Sequence, residues 1–422
     1  MSLDSKSVLV GLLRQSEKYL KTDMVYLASG GFWLVVSQIV SSLSSLALAV
    51  AFANLVSPET YGTYKYLLSL AGLMSLFSLP GINTALLRAT AQGRGSTIHT
   101  LTRSRILYAC LGSVVALIGS IYYFANVNTL LSIALLIIAA TLPLFDTLTS
   151  YLFYFVGKRR FDLRTKYYAL TQIVSTLVLI ATIFLTDNLI LILIAYFVPL
   201  ICIRGALYWL VARTIPRTAL KDEVAEVKQY GIHLTVMQIL GTIANEVDKI
   251  LIWKFLGPVQ VAVYTLALAI PEQIRGPLKG IGELAFPKFA EQTPEQIRRN
   301  LPALFRKLAL YAFALFGISI LYMLAAPYIF QLFFPQYMES ASYSQWFALS
   351  MVAGVASIPI TILAAQKKTS LQYAIYTIQP VITIGFLIIL VPLYGIMGAI
   401  IALLLSRFIT LAIYLGSLFT LR

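Results

Sequence analysis

Charged side chains are scarce in this chain. They make up 12% of its 422 residues, against roughly 25% in a soluble globular domain, so too few are present to cover a water-facing surface. Cysteine is nearly missing as well: Cys110 and Cys202 each sit in an apolar run, which excludes a disulfide framework and a cysteine-based metal motif. The two histidines, His99 and His233, stand far apart. No Ser/His/Asp set, Walker motif or metal-spaced cluster is present, so neither catalysis nor a cofactor is implied. Gly280, Gly282 and Ala285 match a dinucleotide fingerprint in spacing, but no strand precedes them. Alternating strands of ~10 residues are missing too, which argues against a barrel.

What remains is hydrophobic: 59% of residues, with a mean hydropathy of +0.83. The solvent for most of the chain is therefore lipid, and the expected fold is an all-α polytopic membrane protein. A net charge of +15 would ordinarily raise nucleic acid as a partner, but a membrane chain needs Lys and Arg for orientation, and no nucleic-acid role is expected. Apolar windows predict twelve spans near 24–54, 61–88, 104–125, 128–156, 166–186, 188–212, 231–255, 259–286, 305–334, 342–366, 369–392 and 395–420. Basic residues fall on alternate connections, among them Lys18, Arg94, Arg103, Arg105, Arg159, Arg217, Arg299 and Lys367. By the positive-inside bias both termini are cytoplasmic. The mostly polar residues 1–23 do not read as a signal peptide; they form either a short interfacial helix or a solvated tail. Tyr61, Tyr64 and Tyr66 are expected in the outer aromatic belt.

The chain repeats itself at an offset of 200. Gly31, Leu34, Val36, Gln38 and Ile39 match Gly231, Leu234, Val236, Gln238 and Ile239, and Pro58, Tyr64, Leu68 and Ala85 match Pro258, Tyr264, Leu268 and Ala285. Spans one and two thus correspond to spans seven and eight. The shift is six helices, an even number, so the implied relation is a parallel repeat: an N-terminal lobe over 24–213, a linker over 214–230 and a C-terminal lobe over 231–422, with a central cleft.

An ionisable group at the bilayer centre costs at least ~2.5–3.5 kcal/mol on insertion scales and must face protein, water or ligand. Gln238, Thr242, Asn245, Glu246 and Lys249 share one face of span seven, with Asp248 beside them. In span eight Glu272, Arg275, Lys279 and Glu283 form one stripe, whereas the first-repeat equivalents are uncharged. Arg275 and Lys279, with Lys249, would present positive charge to an anionic headgroup. Glu246, Asp248 and Glu272 would bind a coupling proton or sodium ion. The structural alternative is pairing along the helix, Glu272 with Arg275 and Lys279 with Glu283. Arg204, Arg407 and Asp146 line the cleft or form packed pairs. Lys65 and Arg88 are interfacial anchors or meet the anion at either end, and Gln38, Gln238 and Asn245 are neutral candidates for bonding sugars. Pro80, Pro143, Pro199, Pro271, Pro277 and Pro380 interrupt spans as kinks or hinges.

The run Leu55-Val56-Ser57-Pro58-Glu59-Thr60-Tyr61-Gly62-Thr63-Tyr64 resembles the hallmark turn of bacterial polysaccharide transporters. These belong to the multidrug/oligosaccharidyl-lipid/polysaccharide exporter superfamily. Leu256-Gly257-Pro258 and Pro392-Leu393-Tyr394-Gly395 are similar to that family too. The resemblance implies a plasma-membrane flippase for an undecaprenyl-diphosphate-linked oligosaccharide of O-antigen or exopolysaccharide type. It would work by alternating access, coupled to a proton or sodium gradient, among membrane lipids and beside glycan polymerase machinery. A drug or organic-cation exporter of the same fold, or a membrane glycan polymerase or ligase, are the competing readings.

Overall fold

The computed structural model describes residues 24–366 and 369–420, with the side chains of 24–30, 277–288, 290, 369–372, 375, 376 and 420 excluded. The expectations for residues 1–23, Lys279 and Glu283 lie outside what is described. Among the described residues there is no strand; every element is helical. With no water in hydrocarbon, backbone groups must bond within their own segment, and the helix does this.

The first helix, α1 (Met24–Leu55), ends at a tight turn into α2 (Pro58–Met74). That turn is built from standard helix-start chemistry. Ser57 caps the Thr60 amide, Pro58 occupies the first helical position, and Glu59 sits at the positive end of the dipole. Leu79, at φ 53°, and Pro80 then bend the chain by 48° into α3 (Gly81–Ala91). Next come α4 (Ile98–Ala125) and α5 (Thr129–Phe145), followed by the short α6 (Ser150–Gly157). The N-terminal series closes with α7 (Phe161–Leu185) and α8 (Leu189–Ala212). The C-terminal series opens with α9 (Lys221–Leu256) and α10 (Pro258–Ala290), joined at Gly257, whose φ is +90°. Residues 221–230, in the stretch expected to connect two lobes, are the first turns of α9. The short α11 (Pro294–Arg299) leads to α12 (Leu301–Phe333), α13 (Met338–Ala348), α14 (Ser357–Ala365) and α15 (Thr369–Ser417). The last is two helices meeting at Gly395, where φ is 60°.

Eight of these stretches are long and apolar enough to cross a membrane, or nine if the bent pair formed by α2 and α3 is one span. The 36-residue α9 and the 33-residue α10 are not among them. α9 is long enough to cross but carries a charged stripe, and most of the second half of α10 lies outside the described side chains. Exposed Leu107, Ile118, Phe184, Phe313 and Leu324 give the bundle the lipid-facing surface that soluble proteins lack.

Helices from the two ends of the sequence touch along α2 and α3. Near the start of α2, a Cβ on Gly62 would run into the carbonyl of Pro258, Tyr66 stacks on Trp253 at 4.3 Å, and Asn54 Nδ2 donates to the Phe333 carbonyl at 2.8 Å. At the start of α3, Gly81 N–H donates to Thr235 Oγ1 at 3.0 Å, and just past its end Arg94 pairs with Glu226 at 2.7 Å. The glycine in the sequence motif therefore answers a close backbone approach. Gly62→Ala should lower stability by about 1–3 kcal/mol through overpacking. Gly317→Ala, in a helix with open space around it, should raise it by roughly 0.5–1 kcal/mol. Thermal unfolding in detergent checks both, and equal shifts would show that the close approach does not matter.

The tyrosines of α2 correct one expectation. Tyr61, Tyr64 and Tyr66 are 1%, 3% and 6% exposed, so they do not form an interfacial belt. Phe52 of α1 stacks on Tyr61 and Tyr64 at 4.8 and 4.7 Å, and Trp253 covers Tyr66. Arg105 corrects another. Counted by position with the connection cations, it is fully buried. It binds Asp146 Oδ2 at 2.7 Å, the Ser78 carbonyl at 3.0 Å, Asn83 Oδ1 at 2.7 Å and Ser150 Oγ at 3.1 Å. The guanidinium thus clasps the break between α2 and α3 to the break between α5 and α6, where backbone groups have left their helical ladders.

Candidate functional site

α9 and α10 bring their polar stripes to the same place because both pack against α2, and α15 closes the third side. A cavity of about 410 Å³ lies among them, walled by Ser45, Ala49 and Phe52 of α1, by Tyr61, Tyr64 and Lys65 of α2, and by Leu403 and Arg407 of α15. α9 contributes Asn245, Asp248 and Lys249, and α10 contributes Glu272, Gln273 and Arg275. Glu272 and Arg275 stand 14 and 17 residues after Pro258, or ~21 and ~25 Å along the helix at 1.5 Å per residue. The site therefore lies well along α10 from the Pro258 turn.

Lys65, Lys249, Arg275 and Arg407 face Asp248 and Glu272 across this cavity, an excess of cations. The pairing inside it is uneven. Arg275 and Arg407 converge on one oxygen, Glu272 Oε1; the Arg275 contact is 3.5 Å and Arg407 donates a short hydrogen bond. Arg407 is also held over the Phe347 ring at 4.8 Å. Two nitrogens of this pair, Arg275 Nε and Arg407 NH1, are buried without a hydrogen-bond partner among the described residues. Asp248 is better satisfied: it accepts from Tyr264 Oη at 2.6 Å and from the Lys249 amide at 2.7 Å. Lys249 Nζ pairs with Glu246 at 3.0 Å and lies 3.6 Å from Asp248. Lys65 rests over Tyr61 and Tyr64 at 5.5 and 5.8 Å from the ring centres, a cation–π arrangement that orients the ammonium without neutralising it.

The expected pairing of Glu272 with Arg275 is present, but Arg407, 135 residues away, shares the carboxylate. Gln238 lines an adjoining cavity of about 610 Å³ together with Asn245, Arg275 and Arg407. Gln38 packs against Gly276, the neighbour of Arg275, and Glu246 packs against Gly72 of α2. Three other candidates sit elsewhere. Asp146 is held by Arg105 and Ser78. Arg204 donates to the Phe145 carbonyl at 2.5 Å and stacks over that ring. Arg88 lies over Tyr230 at 5.1 Å, where α3 meets α9. Sequence reasoning missed the aromatic wall of Phe52, Tyr61 and Tyr64. Its signal was the spacing of three aromatics across the Ser57-Pro58 turn, which places them on facing helix ends.

The family model for polysaccharide biosynthesis proteins matches residues 27–293. No curated protein matches the sequence. Among solved structures, the lipid II flippase MurJ in an inward closed conformation aligns with a TM-score of 0.64 at 14% identity, covering 92% of this chain and 87% of MurJ. An inward-facing multidrug resistance MATE transporter aligns at 0.59 and 13% identity, covering 89% and 93%. A MOP superfamily transporter from Pyrococcus furiosus, whose binding pocket has reversed polarity, aligns at 0.53 and 12% identity, covering 94% and 96%. At such identities the likeness is one of fold, and it joins the family match and the many apolar helices in one conclusion: the chain is a multi-pass membrane protein of the polysaccharide biosynthesis family, with the fold of the MOP transporters.

Proposed function

We propose that the protein is a flippase that carries an undecaprenyl-diphosphate-linked oligosaccharide, an O-antigen or exopolysaccharide unit, across the plasma membrane by alternating access. The observation that carries this reading is the shared carboxylate. Two buried guanidinia aim at one oxygen of Glu272 and still have buried N–H groups unmet. A diphosphate, with more oxygens and more charge, would satisfy them better than a single carboxylate does, through bidentate charge-assisted bonds. Moving such a headgroup and its sugars through bare hydrocarbon would forfeit the hydration of every polar group. A polar cavity removes that cost while the lipid tail stays in the bilayer. Gln38, Gln238 and Asn245 offer amides to the sugar hydroxyls.

On this reading the chain has twelve spans in two six-helix halves, 24–213 and 231–422, with cytoplasmic termini and the Pro58 and Pro258 turns outside. The contacts of Gly62 with Pro258 and of Gly81 with Thr235 close the outer and inner ends, and a cycle must break one set at a time. Asp248 and Glu272 take up the coupling proton or sodium ion. Expression in flippase-null strains with defined lipid-linked glycans, scored by surface glycan, tests the reading. Restoration in at least one strain is expected. Failure in every strain despite membrane insertion, together with efflux of a cationic dye, would assign the protein to drug export.

A further inference from the structure

We infer that a second, basic cavity, at the far end of α8 from its Leu189 start, holds the headgroup of an anionic glycerophospholipid. The cavity measures about 720 Å³ and lies between the first turns of α4 and the last turn of α8. His99, Arg103, Arg213 and Arg217 converge on it, and no carboxylate lines it. Arg94, Arg105, Arg160, Arg275 and Arg407 each have a carboxylate partner. Arg103, Arg213 and Arg217, like Arg88 and Arg204, have no ion pair among the described residues, but here three of them gather on one cavity. Like charges gathered without a counter-charge repel, and an anion set among them relieves the repulsion.

The surroundings say which kind of anion. Trp209 is 58% exposed, and the Arg213 guanidinium lies 4.2 Å from the centre of its ring. A tryptophan and an arginine at the end of a 24-residue apolar helix mark the depth at which acyl chains give way to phosphates. Below it α4 is apolar, with Leu107 and Leu111 facing out. A ligand there meets phosphate-binding groups above and hydrocarbon beneath, as a phospholipid does and a free phosphate does not. The ring nitrogen of His99 donates to the Ile215 carbonyl at 3.1 Å, which ties the connection bearing Arg217 to α4 and fixes the rim. The inference does not need the transport reading, since it concerns a surface away from the central cavity.

Native mass spectrometry of the full chain in detergent tests it, with phosphatidylglycerol, phosphatidylethanolamine, inorganic phosphate and undecaprenyl diphosphate as separate probes. Phosphatidylglycerol should bind the unaltered protein and bind at least about tenfold more weakly to R103Q/R213Q/R217Q, given what each cation near an anionic surface contributes. The control R298Q/R299Q/R306Q removes the same charge from exposed positions elsewhere and should bind unchanged. R103K/R213K/R217K keeps the charge, so retained binding there separates loss of the site from loss of the fold. Equal binding of phosphatidylethanolamine, or an equal loss in the control, would overturn the inference. Displacement by inorganic phosphate or by undecaprenyl diphosphate at matched concentration would also overturn it and would name the other occupant.

Discussion

Arg105→Ala should lower the stability of the protein by about 3–5 kcal/mol, because it takes one shared donor from several acceptors, each worth ~1–3 kcal/mol when left unmet, and strips the 33% exposed Asp146 side chain of its ion pair. The reason is local. Arg105 is fully buried, and its fork serves Ser78, Asn83, Asp146 and Ser150 at once. Without it Asp146 has only Ser78 to bond among the described residues, and the carbonyls freed at two helix breaks lose their donor. Arg105→Lys should recover little, because an ammonium cannot reach three elements in the plane of a guanidinium. Arg105→Ala with Asp146→Asn should recover part of the loss, since the stranded charge goes. Thermal unfolding in detergent and the yield of monodisperse protein measure these effects. A single variant within about 1 kcal/mol of the unaltered chain, the size of an ordinary substitution, would show that the clasp is dispensable.

The second large effect is expected on transport. Arg275→Ala and Arg407→Ala should each reduce glycan export by roughly ten- to a hundredfold, from the ~1.5–3 kcal/mol of a hydrogen bond to a charged group. The double variant should abolish it, since both guanidinia aimed at the diphosphate are then gone. Glu272→Gln works in the opposite sense on binding: it removes the carboxylate that competes for both guanidinia, so a diphosphate lipid should bind more tightly while turnover falls. Surface glycan in a complemented strain, normalised to protein in the membrane, reads the first pair. Lipid binding to the purified protein reads the third. Export that survives both arginine substitutions would remove the shared-carboxylate site from the mechanism.

The membrane fold and the two charged stripes were legible because they are one-dimensional. Hydropathy depends on what lies within a few turns, and the helical period puts Glu272 and Arg275 on one face wherever the helix goes. The turn at Ser57-Pro58 was equally readable, since capping is local chemistry. Arg105 was not. Its place near a basic connection suggested a cytoplasmic cation, and only the packing of α2, α3, α5 and α6 creates the hole that needs its five donors. Tyr61, Tyr64 and Tyr66 misled for the same reason: an aromatic at a helix end looks interfacial until Phe52 and Trp253 arrive from elsewhere to cover it.

By itself, then, the amino-acid order determined that this chain lives in lipid, is helical, and carries charged stripes on α9 and α10. Which charges meet was decided in three dimensions. The distance from Arg407 to Glu272, 135 residues apart in sequence, depends on how α15 packs against α9 and so faces α10, and no local rule of charge or period encodes that separation. A buried ion is tolerated only where partners from several helices gather around it, so the site belongs to the packing.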